Sequence, residues 1–209
     1  MERRTDAENI QIEERSTGMP LIRGTASAYN KKSRDLNGFR EIIAPGAFDE
    51  VLERQDNDVI CCWNHDPGQL IGRTSSGTLR LSSDSEGLRY EVDPPDTTLA
   101  KDLMTMVRRG DIFGSSFAFT CGDEEWEEDE EGPVRVVRSV SGLFDVALVT
   151  SPAYMDSAVA VRSLESWLET KQEQNNKETI FVPSLRYKKL VGLSRIAQLG
   201  RLRKRKAPK

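Results

Sequence analysis

The chain has 209 residues, 37% of them hydrophobic and 31% charged, with a formal net charge of −4. That length accommodates one sizeable domain with a tail, or two small domains, and the polar balance predicts one compact core with solvated segments attached. No apolar run approaches the roughly 20 residues of a membrane-spanning helix, the charged start lacks the apolar segment of a secretory signal, and three cysteines make no disulfide framework. The composition therefore reads as a soluble chain made in a reducing cytoplasm.

Residues 1–18 are charged and aperiodic and are predicted to be a flexible N-terminal arm. Residues 21–29 are strand-like, 41–43 form a short extended piece, and Phe48, Val51 and Leu52 have the spacing of a short amphipathic helix. The run 59–63 reads as a buried strand ending at Asn64-His65-Asp66-Pro67. Short strands follow at 70–73, 77–81 and 87–92, separated by Gly, Ser and Asp turns. In 98–109, Leu99, Leu103, Met106 and Val107 make a helical stripe, with an N-cap among Asp96–Thr98 and Gly110 just past the end. Residues 112–119, 134–138 and 143–149 are further strands, and the acidic run 123–131 reads as a solvated hairpin insertion in which Trp126 hints at packing. Residues 164–169 finish a last helix, 171–177 form a polar linker, and 182–209 read as a basic amphipathic segment weakened by Gly192 and Gly200. The expected domains are an arm over 1–18, a body over 19–165, and a linker with a basic tail over 166–209. Many short strands between turn signals point to a small barrel or sandwich.

His65 is the only histidine. If the chain does imidazole acid–base chemistry, this residue must do it; a lone histidine is also commonly structural. In the strand 112–119, period-two alternation puts Phe113, Ser115, Phe117 and Phe119 on one face and Gly114, Ser116 and Ala118 on the other. The second face presents a hydroxyl between two small residues, as close approach of a substrate backbone requires, which favours Ser116 over Ser115 as a nucleophile. The same pattern also suits a crowded structural contact. Asp145 is a lone carboxylate in an apolar run, so burial demands a partner: the His65 ring, Arg135, Arg138 or a backbone N–H. Cys61 and Cys62 alternate to opposite faces, which argues against a metal site shared with His65 and Cys121.

Several blocks, in order, resemble the phage prohead (capsid maturation) proteases of the HK97 type. They are residues 41–48 (Glu41 to Phe48), Trp63-Asn64-His65-Asp66-Pro67, Gly72-Arg73-Thr74, Arg109 to Phe119, Glu125-Trp126, and Asp145 to Tyr154. That family is similar in fold to the herpesvirus assembly proteases. The resemblance implies a β-rich α+β fold, a small closed β-barrel wrapped by a few helices, with the basic C-terminal tail attached. It also implies His65 as base and Ser116 as nucleophile, with Asp145 orienting the ring where the family usually has glutamate. In the family, methionine often stands at the position of Ser115 and glycine at that of Ala118. The implied activity is a serine endopeptidase that cuts the scaffolding protein, or the scaffolding segment of the major capsid protein, and itself. The implied setting is the assembling procapsid in the host cytoplasm. The partners are then the capsid protein and the procapsid interior, with self-association left open; no cofactor, metal, specific nucleic acid or membrane is expected. The competing reading is a non-catalytic assembly or scaffold-binding factor that uses the same barrel.

Overall fold

A computed structural model describes residues 1–6, 10–16, 18–150 and 158–180. The chain divides into two compact units, Met1–Leu164 and Glu165–Lys209. The expected basic tail over 182–209 lies outside the described residues.

The first unit is β-rich with few helices. In chain order its strands are β1 (Glu2–Asp6), β2 (Gln11–Glu13), β3 (Leu21–Ala28), β4 (Arg40–Ile43), β5 (Ile60–Trp63), β6 (Asp66–Arg73), β7 (Leu79–Ser83), β8 (Gly87–Val92), β9 (Gly114–Asp129) and β10 (Gly132–Val149). The helices are α1 (Asp49–Glu53), α2 (Thr98–Arg109) and α3 (Ala158–Ile180), the last running across the boundary between the units. Helix α2 has the ends its sequence predicts. Thr97 accepts a hydrogen bond from the Ala100 N–H, and Gly110, at φ 80°, turns the chain in the left-handed conformation that glycine adopts without strain.

A closed barrel is not what these strands build. One sheet runs β1-β9-β10-β5-β6 with β4 also pairing β10, and a separate four-stranded sheet runs β2-β3-β8-β7. The physical reason lies in β10. It is 18 residues long and its register against β9 shifts at several points between Val137 and Asp145. Such bulges bend and twist a strand, so β10 pairs in parallel with β4 over Val134–Val137 and with β5 over Asp145–Leu148. Short alternating strands suit a sandwich as well as a barrel, and the turn pattern cannot tell the two apart.

Both sheets contribute to one core, which includes Ile22, Leu88 and Tyr90 from the smaller sheet and Cys61, Phe117, Phe119 and Val146 from the larger. The Phe48 and Phe117 rings meet edge to face at 5.5 Å. Phe113 does not join them. It precedes β9 and is 43% exposed, so the expected aromatic face begins only at Ser115.

Three further expectations are corrected. The frayed arm is replaced by β1 and β2, each paired with a partner strand. The acidic run is solvated and forms a hairpin as expected, but it is no insertion: residues 123–129 are the far half of β9 itself, paired with β10 through Asp129↔Gly132. Its Trp126 packs on Phe39 at 5.2 Å and donates from Nε1 to Ser163 at 2.9 Å. The linker over 171–177 is helical as part of α3, consistent with its Lys, Gln and Glu content.

Candidate active site

The larger sheet organises the site through register. Ser116 on β9 lies opposite Ala147 on β10, and Ala118 on β9 lies opposite Asp145. Residues two apart share a face of a strand, so Ser116 and Asp145 occupy diagonal corners of a square whose other corners are alanines. Ala147 thus provides clearance from the facing strand, a contribution that the pattern around Ser116 alone did not reveal. Cys62 of β5, level with Ala147, closes the same face together with Val149. Cys61 points the other way, into the main core.

His65 is delivered by the turn between β5 and β6. These strands pair antiparallel with Trp63 opposite Asp66, leaving Asn64 and His65 as a two-residue connection. Both have positive φ, 51° and 58°, the pattern of a type I′ hairpin turn. Asparagine tolerates that region; histidine is strained there, at a cost of about 1–2 kcal/mol. The surroundings hold the turn. The Asn64 N–H donates to the Leu148 carbonyl at 2.9 Å, and Asn64 Oδ1 accepts from the Thr150 N–H at 3.0 Å.

The three residues singled out in the sequence come together. His65 Nε2 is 2.7 Å from Ser116 Oγ, and His65 Nδ1 is 2.7 Å from Asp145 Oδ1. Their exposures are 8%, 1% and 7% for His65, Ser116 and Asp145. The partner that Asp145 required is therefore the imidazole. The duller candidates are engaged elsewhere: Arg135 with Glu2, Glu41 and Glu124, and Arg138 with Glu125. Ser115 points into the core, where its hydroxyl meets Tyr90 Oη at 2.8 Å.

A second acceptor competes for the serine proton, because Ser116 Oγ also donates to the Arg4 carbonyl at 2.8 Å. A hydroxyl has one hydrogen. With Nδ1–H directed at Asp145 and Nε2 bare, that hydrogen goes to the ring. With both ring nitrogens protonated, Nε2–H donates to Oγ and the hydroxyl hydrogen goes to Arg4. Arg4 was missed in the sequence because Glu2-Arg3-Arg4-Thr5-Asp6 carries no apolar residue to signal burial. The available clue was on the other strands: Glu41 beside Ile42-Ile43, and Arg135 within Val134-Arg135-Val136, are charges in apolar runs.

Burial, then the Asp145 carboxylate, push the Cys62 thiol up to about 12. Among the described residues, no group of three or more His, Cys, Asp or Glu side chains is arranged to hold a metal ion. Among the same residues, no helix is long and apolar enough to cross a membrane.

The sequence matches the caudovirus prohead serine protease family over residues 7–173. The chain belongs to that family. It is 26% identical over 159 residues to the prohead protease of Enterobacteria phage HK97, an alignment that covers 75% of this chain and 66% of the relative. The chain thus spans just under two thirds of that relative's length. Among solved structures it is similar to the bacteriophage T4 capsid assembly protease, at 16% identity and a TM-score of 0.46, covering 72% of this chain and 96% of that one. The resemblance carried by the Trp63–Pro67 and Asp145–Tyr154 blocks is therefore family membership. In this prohead protease family member, the buried Ser116–His65–Asp145 chain lies within the matched region.

Proposed function

We propose that the chain is a serine endopeptidase of phage head maturation. Ser116 Oγ attacks a peptide carbonyl carbon while His65 Nε2 takes the hydroxyl proton, and His65 returns that proton to the departing amine. The resulting acyl-enzyme is hydrolysed by water, with His65 again acting as base. Asp145 fixes the ring with Nδ1–H toward its carboxylate and stabilises the imidazolium formed in each step. Oxyanion stabilisation falls to backbone N–H groups or an arginine of a nearby loop.

The proposed substrates are the scaffolding protein, or the scaffolding segment of the major capsid protein, and the chain itself, cut inside the assembling procapsid in the host cytoplasm. The observation that supports this reading is the continuous hydrogen-bonded series from the Ser116 hydroxyl through both His65 nitrogens to Asp145. Mass spectrometry of particles carrying wild-type or Ser116→Ala chain tests it. The variant is expected to assemble particles with intact scaffold and intact protease. Normal processing by Ser116→Ala would overturn the assignment, and would favour a non-catalytic assembly role.

A further inference from the structure

Strand β1 carries features that the proposed chemistry does not use. Its alternate residues Glu2 and Arg4 are buried, and the Arg4 guanidinium lies over the Phe119 ring at 5.6 Å. Arg4 donates to Glu41 on β4 from Nε at 2.6 Å and from Nη2 at 2.9 Å. Arg135 on β10, 1% exposed, donates from Nη1 to Glu2 at 2.6 Å and to Glu41 at 2.8 Å. It also donates from Nε to Glu124 at 2.6 Å. Glu41 and Arg135 are fixed in the sheet by β4 and β10, whereas Glu2 and Arg4 arrive on a strand that, among the described residues, lies at the sheet edge and pairs with β9 alone.

The backbone of that edge strand follows the serine strand. It runs antiparallel to β9 from Glu2↔Phe119 to Asp6↔Ser115 and sets the Arg4 carbonyl against Ser116 Oγ at 2.8 Å. On the other side of β1, Arg3 Nε and Thr5 Oγ1 are buried without a hydrogen-bond partner among the described residues. β1 is thus held by ladder hydrogen bonds and by two charged anchors at alternate positions. Extended peptides added to a sheet edge are recognised in this way, the main chain giving affinity and alternate side chains giving specificity.

We propose that Glu41 and Arg135 form a charge-paired subsite at the edge of β9, on the Phe117 and Phe119 face opposite the one that carries the Ser116 hydroxyl, which reads an extended peptide substrate carrying an acid and a base two residues apart. Glu2 and Arg4 of β1 occupy that subsite in this structure. The base of the peptide meets Glu41, its acid meets Arg135, and the carbonyl of the base lies against Ser116 Oγ. This deepens the endopeptidase reading and rests on it for the identity of the cleft, but recognition needs no hydrolysis. The order of charges matters. A segment with base and acid exchanged sets base against Arg135 and acid against Glu41, and like charges in contact away from water repel.

The test uses the full chain carrying Ser116→Ala and two fluorescein-labelled peptides, one with the sequence of residues 1–6 and one with Glu2 and Arg4 exchanged. Substituting Glu2→Ala and Arg4→Ala in the chain loosens the resident strand without altering Glu41 or Arg135. Hydrogen exchange of the Ser115–Phe119 amides reports its release. On the loosened chain the native-order peptide is expected to bind at least about tenfold tighter than the exchanged one. It is also expected to bind about tenfold tighter there than on the chain with its strand intact. Equal affinity for the two peptides, no binding despite released amides, or amides that stay protected would each overturn the subsite. If circular dichroism shows the double variant unfolded, Arg4→Gln alone replaces it under the same criteria. Because this assay reads binding to an inactive chain, failure of the Ser116 chemistry shows separately, in particle processing.

Discussion

Ser116 and Asp145 occupy diagonal positions on one face of the β9–β10 ladder, and the His65 ring joins them through two contacts of 2.7 Å. Neither strand alone sets this geometry. It depends on the register that places Ser116 opposite Ala147, and on the β5–β6 turn that brings in the ring.

Two adjacent serines with different surroundings give a direct contrast. Ser116→Ala is expected to lower turnover by about four to six orders of magnitude. Ser115→Ala removes the hydroxyl that meets Tyr90 Oη, leaving a buried phenol unpaired at a cost of about 1–3 kcal/mol. It should therefore lower the melting temperature yet leave scaffold processing in place. Peptide-cleavage kinetics and thermal unfolding of both variants check the pair.

Asp145→Asn should drop kcat by about 10⁴ with little change in fold, because an amide can donate to Nδ1 and so favour the wrong tautomer. Asp145→Glu keeps the charge and should retain much more of the activity than Asn. The comparison of kcat across the three side chains separates loss of charge from loss of reach.

Asn64 is a positioning residue. Asn64→Ala loses the bond to the Thr150 N–H and places a less tolerant residue at φ 51°. The combined cost is about 2–3 kcal/mol. Asn64→Gly removes the same anchor but not the conformational preference, so it should be the more stable of the two by about 1 kcal/mol. Both should reduce kcat by freeing the turn that carries His65, as read by denaturant midpoints alongside steady-state rates.

The cysteines should be inert in the folded chain. Burial holds the Cys61 thiol well above its ordinary range and pushes Cys62 and Cys121 up to about 12. Iodoacetamide at about pH 8 is expected to leave all three unmodified and the activity unchanged until the chain is unfolded, since the thiolate is the reactive form. The same shifts set a pH dependence. Each folded pKa lies above the unfolded value of about 8.5, so the folded state retains more protons at high pH. Their contribution to stability is present in full below about pH 8 and is lost as pH rises toward 12. Guanidinium midpoints measured across this range should fall.

What the linear chain by itself determined were the features governed by nearest neighbours along it. Alternation in Gly114-Ser115-Ser116-Phe117-Ala118 sorted the two serines to opposite faces, the Thr97 cap and Gly110 bounded α2, and the apolar run before Asn64 set His65 at a strand end. The tertiary structure alone decided which strands lie side by side, and in what register. It chose His65 over the arginines as the partner of Asp145, opened two sheets where a barrel was expected, and folded the polar segment Glu2–Asp6 onto β9. The physical reason is that period and capping act within a few residues, whereas register and charge pairing are settled by groups distant in sequence. Arg4 and Glu41 are 37 residues apart, and Arg135 and Glu2 are 133 apart. Arg4 and Glu2 pair with each other two residues apart, but both are buried together with the counter-charges Glu41 and Arg135 that arrive from such distances.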